Sequence, residues 1–189
     1  MSVESHFPLL GEPLALDLVN TRIRRDGDEV DLLDTPSAFS GWLHAERGRV
    51  AWTGSADSED LRAVRALRDV VDRLLRARRG HTRPGRVDLH ALNAAFAAAG
   101  NARLAWAASG PVLVPPPRGA RCNALLRDLA NDAIRLLTGP QSDSVRECAN
   151  PGCRLQFLVR NPRRRWCSSA LCGNRIRVAR HYLHHCQAG

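Results

Sequence analysis

Four cysteines near the C-terminal end of the chain have the spacing of a metal site. Cys148 and Cys153 enclose four residues, Cys167 and Cys172 enclose another four, and thirteen residues separate the two pairs. Such short loops let both sulfurs of a pair reach one ion, and four thiolates suit tetrahedral zinc. Four protein ligands leave no open coordination position, so we expect a structural ion and not a catalytic one. The alternatives are two disulfides or four unrelated thiols, and the lack of a visible secretory signal disfavours them.

Arginines give the same part of the chain a strong positive charge. The formal net charge is +9, of which residues 140–189 contribute +7 and residues 1–139 contribute +2. The sequence contains no lysine, so the use of arginine can reflect a GC-rich genome. Such a codon bias does not explain why acids are scarce at one end. The charge asymmetry therefore points to a nucleic acid or another polyanion as partner.

Seven arginines of this part are candidates for contacts with DNA phosphates. A guanidinium can hold a phosphate through two N–H groups, which provides affinity and not base specificity. The alternatives are a solvated surface or ion pairs with acids of the preceding segment. The candidates are Arg160, Arg163, Arg164, Arg165, Arg175, Arg177 and Arg180.

The order of these residues resembles a known module. Residues 163–167 (Arg-Arg-Arg-Trp-Cys) followed by 172–175 (Cys-Gly-Asn-Arg) are similar to the CGNR-type zinc finger, a C-terminal module of bacterial proteins proposed to regulate transcription. The resemblance covers roughly residues 144–182. Upstream, residues 15–21 (Ala-Leu-Asp-Leu-Val-Asn-Thr) resemble the opening of the ABATE-like helical domain that usually accompanies this finger. The resemblance implies a bound zinc ion and DNA as a partner.

Three polar residues interrupt the apolar segment from Leu14 to Ile23. The apolar positions fit neither a helical nor a strand period, so the sequence leaves its structure open. Asp17, Asn20 and Thr21 are candidates for lining a small-ligand pocket in the helical domain. Residues of these types more often cap a helix or bond to neighbouring backbone groups, and we favour that interpretation.

Capping residues and apolar stripes predict the helices of the N-terminal part. We expect a short helix that begins after Thr35 and buries Phe39, Trp42 and Leu43. The longest helix is expected to begin after Asp57.

The rest of this part is predicted from the same signals. Asp88 is expected to cap a helix through Ala99, with three apolar residues inward: Leu89, Leu92 and Phe96. A strongly amphipathic helix is predicted over residues 120–138, after a hairpin over 103–114. Residues 22–34 are polar, and we expect a loop there.

The predicted fold is mainly α, with a helical domain over residues 1–139 that includes a small β-hairpin and a zinc finger over 144–186. The polar residues 139–144 are the predicted boundary. In the finger we expect a strand over 155–159 and a helix over 174–185, in a treble-clef-like layout. Phe157 and Trp166 are expected to pack beside the zinc, and four tail residues to face solvent: His181, His184, His185 and Cys186.

These features together favour a zinc-finger transcription regulator in the cytoplasm, with no membrane span. The helical domain would sense a small-molecule effector or form a homodimer while the finger binds DNA. An adaptor whose finger binds a protein or RNA is the alternative. A small-molecule enzyme is a remote third hypothesis, because we find no nucleophile elbow, phosphate-binding glycine loop or His-Glu-x-x-His motif.

Overall fold

The computed structural model describes residues 7–97, 103–107, 110–114 and 120–178, without the side chains of 103–107, 110, 112–114 and 120. A 3-10 turn over Ser142–Ser144 precedes the last two strands, and a π-helical turn over Ser169–Gly173 continues as helix to residue 178. In chain order the other elements are α1 Leu14–Val19, β1 Arg22–Arg25, β2 Asp28–Asp31, α2 Pro36–Ala45, α3 Ser58–Arg79, α4 Arg86–Ala97, β3 Arg103–Ala107, β4 Gly110–Val114, α5 Ala120–Thr138, β5 Val145–Glu147 and β6 Gln156–Leu158.

The core lies where α1 packs against the two longest helices, α3 and α5. All six residues of α1 are buried, which is the pattern of a helix enclosed on every side. α3 buries a stripe that includes Val64, Val71 and Leu75, and α5 buries Leu125 and Leu129. Each fully buried leucine contributes roughly 1.5–3 kcal/mol. The segment that the sequence left open is therefore the central helix, continued by a strand.

The predicted caps of α2 and α3 are confirmed. Thr35 Oγ1 accepts a hydrogen bond from the backbone N–H of Ala38 at 3.1 Å. At α3, Asp57 Oδ1 accepts from the N–H of Asp60 at 2.9 Å, and the Asp60 carboxylate accepts from the N–H of Asp57 at 3.2 Å. This reciprocal pair is a capping box, and each cap contributes about 1 kcal/mol.

The loop predicted over residues 22–34 is wrong, because this segment forms the β1–β2 hairpin. The strands are antiparallel and are joined by Asp26 and Gly27, with φ angles of 53° and 96°. Two consecutive positive φ angles fit the tight turn that an Asp-Gly pair favours. The polar composition is misleading because Arg24 and Arg25 lie on exposed positions of a two-stranded sheet.

The predicted inward face of α4 is also wrong in part. Leu92 is buried, but Leu89 and Phe96 are 41% and 45% exposed. The helix contacts the core through Leu92 together with Ala91 and Ala95, so its buried face is rotated from the expected one. The two alanines do not stand out in an apolar pattern, which explains the error. The predicted helix end at Ala99 lies outside the described residues.

The predicted cap of α4 is wrong, because the helix begins at Arg86 and Asp88 lies in its first turn. The predictions for the second hairpin and for α5 are confirmed. β3 and β4 pair antiparallel from Arg103 opposite Val114 to Ala107 opposite Gly110, and α5 has the predicted bounds. Cys122 is a buried core residue of α5. Among the described helices, none is both long enough and apolar enough to cross a membrane.

The C-terminal hairpin β5–β6 packs directly on the helices. Val145 and Leu158 belong to the same buried apolar cluster as α1, α3 and α5. Phe157 precedes Leu158 in β6 and faces the other side of the hairpin. It belongs to a second cluster that contains Leu155 and three of the four paired cysteines. The β-hairpin therefore joins the helical core on one face and the cysteine site on the other.

Candidate metal centre and basic surface

The four paired cysteines converge on one point. Their Sγ atoms all lie within 4.8 Å of one another, and those of Cys153 and Cys167 are 4.0 Å apart. A tetrahedral ion with Zn–S bonds of about 2.3 Å needs sulfurs about 3.8 Å apart. All four are free thiols, and only Cys153 is more than marginally exposed. The donor set and its separations therefore fit a tetrahedral thiolate-bound ion.

The first cysteine loop is closed by a turn at residues 150–152. The N–H of Cys153 donates to the carbonyl of Asn150 at 2.9 Å, and the Asn150 Oδ1 accepts from the N–H of Gly152 at 3.1 Å. The N–H of Cys148 donates to the carbonyl of Leu155 at 2.9 Å. The end of the β5–β6 hairpin thus holds both cysteines of the loop in place.

The second loop is a π-helical turn that begins the C-terminal helix. Ser168 caps it, since its Oγ accepts from the N–H of Leu171 at 2.9 Å. The N–H of Cys172 donates to the carbonyl of Ser168 at 3.2 Å. The two loops are joined by a bond from the N–H of Ala149 to the carbonyl of Arg165 at 3.0 Å. A hairpin followed by a helix agrees with the predicted layout, although the predicted helix beyond residue 178 lies outside the described residues.

Three of the four sulfurs also accept hydrogen bonds from N–H groups. The N–H of Cys167 donates to the Sγ of Cys148 at 3.3 Å, and the N–H of Leu155 donates to the Sγ of Cys153 at 3.4 Å. The side-chain amide of Asn150 reaches the Sγ of Cys172 at 3.5 Å. Donors of this kind stabilise thiolates. The role of the Asn150 side chain was missed from the sequence.

Three of the thiols, those of Cys148, Cys153 and Cys167, influence one another's pKa. Hydrogen bonds from Cys153 and Cys167 lower the pKa of Cys148 to about 2. The same contact with Cys148 raises the pKa of Cys153 to about 12. A metal ion needs all four sulfurs deprotonated, so its binding releases the protons that remain.

The three polar residues of the first segment bond to protein atoms instead of lining a cavity. The Asn20 side chain donates to the carbonyl of Gln156 at 2.9 Å and accepts from its N–H at 2.8 Å. Asp17 accepts from the Arg49 guanidinium at 2.7 Å, and Thr21 donates to the carbonyl of Leu18 at 2.7 Å. Each of the three is 1% exposed. These contacts match the structural interpretation favoured from the sequence.

Five of the seven candidate arginines are exposed and form no ion pair with the described acids. We call them the exposed arginines: Arg160, Arg163, Arg165, Arg175 and Arg177. The guanidinium of Arg165 lies over the Trp166 ring at 5.5 Å, which leaves its charge facing solvent. Arg180 lies outside the described residues.

Arg164 has a different environment from its neighbours. Its guanidinium pairs with Glu12 at 3.0 Å and lies 4.3 Å above the Phe157 ring. It also donates to the carbonyls of Trp166, at 3.2 Å, and Cys167. This residue holds the second cysteine loop against the N-terminal segment, so its donors are already in use.

Arg154 is a second arginine of this part that bonds inward. It pairs with Asp72 of α3 at 3.2 Å and with Glu29 of β2 at 2.7 Å. We call Arg154 and Arg164 the anchoring arginines. Arg79, at the end of α3, donates to the Gln156 side chain at 2.6 Å.

Comparison with known families gives two matches along the chain. The model of the ABATE family, described as "Putative stress-induced transcription regulator", matches residues 12–140. The model of the CGNR zinc finger matches residues 144–185. No curated protein matches the chain. The two matches agree with the two resemblances drawn from residues 15–21 and 163–175.

Proposed function

We propose that the finger binds zinc and contacts DNA, because the chain belongs to the ABATE family, described as "Putative stress-induced transcription regulator", and carries a CGNR zinc finger. One observation carries the proposal. A site of four thiols lies in the same short segment as five exposed arginines that have no acid partner among the described residues. The matched families are regulator and zinc-finger types and not enzymes. We place the protein in the cytoplasm, where thiols stay reduced.

Zinc is the ion that the four sulfurs favour. Soft thiolates select zinc over magnesium or calcium, and a closed four-sulfur site has no position for substrate. Cys148, Cys153, Cys167 and Cys172 would hold the ion, which would fix the turn of the β5–β6 hairpin to the π-helical turn. The ion supplies folding free energy to a segment that has a small apolar core.

The exposed arginines supply the proposed DNA contact. If each of the five meets one phosphate, five counterions are displaced from the duplex, and Arg180 could add a sixth. Affinity would then fall by roughly 500-fold between about 50 and 200 mM salt. Arg164 is left out of this interface because Glu12 and backbone carbonyls already use its donors.

The test is binding of the full chain to a labelled DNA duplex by fluorescence anisotropy, across a salt series and with or without chelator. We expect a steep fall of affinity with salt and loss of binding when zinc is removed. Changing the five exposed arginines to glutamine should abolish binding at moderate salt. The control changes Arg83 and Arg86, two exposed arginines of the helical part, to glutamine and should bind as the wild type does.

Two results would overturn the DNA proposal. Binding that is indifferent to salt would mean that phosphates are not the ligand. Zinc at one ion per chain without any DNA binding would move the adaptor hypothesis to first place. RNA and protein partners could then be told apart by nuclease treatment of the captured material.

The helical part is proposed to dimerise or to sense an effector. Its α4 exposes three apolar residues, Val87, Leu89 and Phe96, and Val87 is 80% exposed. Light scattering on the full chain measures the mass directly, and Phe96→Ser should shift a dimer toward monomer. A monomer at all concentrations would leave effector sensing as the role of this part.

A further inference from the structure

We propose that Glu12, Asn20 and Asp72 are positioning residues for the metal site, so that the helical part and the finger form one cooperative unit. None of the three lies within 70 residues of a cysteine ligand along the chain. All three are buried, at 3%, 1% and 5% exposure. The inference rests on the metal part of the proposed function and is independent of DNA binding.

The first contact path runs from Asn20 to the first cysteine loop. The Asn20 side chain pairs with both the N–H and the carbonyl of Gln156, as a neighbouring strand would. The residue before Gln156 is Leu155, whose carbonyl accepts from the N–H of Cys148 and whose N–H donates to the Sγ of Cys153. Asn20 therefore fixes the start of β6, next to Leu155, which bonds to the backbone of Cys148 and to the sulfur of Cys153.

The second path runs from Glu12 to the second cysteine loop. One carboxylate oxygen of Glu12 pairs with Arg164 at 3.0 Å, and Arg164 donates to the carbonyl of Cys167. The other oxygen accepts from the N–H of Leu158 at 3.0 Å. A single buried carboxylate thus connects β6 to the loop that holds Cys167 and Cys172.

Asp72 of α3 contacts the residues on either side of Leu155. It accepts from the Gln156 side chain at 2.7 Å and from Arg154 at 3.2 Å, and its third partner is Arg76 of its own helix at 2.5 Å. Two of the three partners belong to the finger. Without the finger in place, a buried carboxylate would lose two donors.

These contacts imply a reciprocal coupling between metal binding and helix packing. The metal orders the two loops, and the ordered loops present the donors that Glu12, Asn20 and Asp72 require. Two coupled equilibria, here metal binding and the packing of the finger on the helices, favour each other by the same factor. A change in any of the three positioning residues should therefore weaken metal binding although none touches the metal.

The alternative is a finger that folds on its own around the metal and merely rests on the helices. In that case these substitutions would lower the stability of the helical part and leave metal affinity unchanged. Asp57→Ala supplies the matched control, since it removes the cap at the far end of α3, about 22 Å along the helix from Asp72.

The experiment measures zinc affinity of the full chain by competition with a chromogenic chelator, after far-UV circular dichroism has shown that each variant is helical. We expect Asn20→Ala and Asp72→Asn to bind zinc about tenfold more weakly than the wild type, in line with losses from supporting residues. Glu12→Gln keeps one acceptor and is the milder variant if the others fail to fold. Asp57→Ala should bind zinc within about twofold of the wild type.

Two outcomes overturn the inference while the proposed function stands. One is unchanged zinc affinity in all three interface variants. The other is an equal loss in Asp57→Ala, which would show that general stability governs the affinity. A wild type that takes up no zinc would instead refute the metal proposal itself. Hydrogen exchange gives a second readout, because the amide of Gln156 should lose protection in Asn20→Ala with zinc bound.

Discussion

Arg163 and Arg164 are neighbours in the sequence, yet the structure gives them opposite environments. Arg164, an anchoring arginine, is half-buried and bonded to Glu12 and to carbonyls of the cysteine loop. Arg163 is exposed and has no ion pair with a described acid. The same contrast separates Arg154 from Arg160. An acid supplied by the helical part decides whether an arginine of the finger holds the structure together or remains free for a partner.

Metal removal should have the largest effect, because it would erase the difference between the anchoring arginines and the exposed arginines. Cys167→Ser or chelation removes metal-binding free energy that is on the order of 10 kcal/mol in zinc-finger peptides. We expect zinc content by elemental analysis to fall from one ion per chain to none, with a large drop in thermal stability. Cys122→Ser is the control, since burial raises the pKa of this thiol to about 12 and it lies in α5. Zinc retained after Cys167→Ser would contradict the four-sulfur site.

Breaking an anchoring arginine should come next in size. Arg164→Ala leaves the buried carboxylate of Glu12 without its cation, and we expect a loss of about 3 kcal/mol in the free energy of unfolding. Arg163→Ala should change stability by less than about 0.5 kcal/mol, because exposed side chains without partners contribute little. Urea denaturation of both variants measures the difference. Equal losses would show that the contrast between the neighbours has no energetic meaning.

Sequence patterns predicted the parts of this structure that depend on local signals. Residues a few positions apart predict the caps at Thr35 and Asp57, the bounds of α5 and the two short cysteine loops. The β1–β2 hairpin also carries a local signal, its Asp-Gly turn, which charged flanking residues obscured.

The contacts that define the site depend on residues far apart in the chain. Asn20 meets Gln156 across 136 positions, and Glu12 meets Leu158 across 146. No spacing rule connects such pairs, so the sequence could show that Asn20 is polar in an apolar run but not that it bonds to a finger strand. For the same reason charge alone could not separate Arg164 from Arg163.

Removing two exposed arginines should have a smaller effect that is confined to DNA. In Arg163→Gln with Arg165→Gln, the slope of log affinity against log salt should become less steep by about 1.8, since each lost phosphate contact changes it by about 0.9. Stability in urea should stay at the wild-type value. An unchanged slope would mean that these two residues do not contact phosphate, and a stability loss would place them with the anchoring arginines.

The dependence of a structural arginine on an acid partner should also hold in the helical part. There it gives the smallest predicted effect, which is a pH dependence. Burial alone would raise the pKa of Asp31, but hydrogen bonds and charge from the buried Arg68 lower it below 3.8. The folded carboxylate therefore holds its proton less tightly than the unfolded one. It contributes stability that is complete above pH 3.8 and is lost as the pH falls through the lowered pKa. Urea midpoints between pH 6 and 3 should decline less in Asp31→Asn than in the wild type, although the variant is less stable at neutral pH. A parallel decline would show that Arg68 does not depend on an ionised partner, and that the acid requirement inferred for Arg164 is not general.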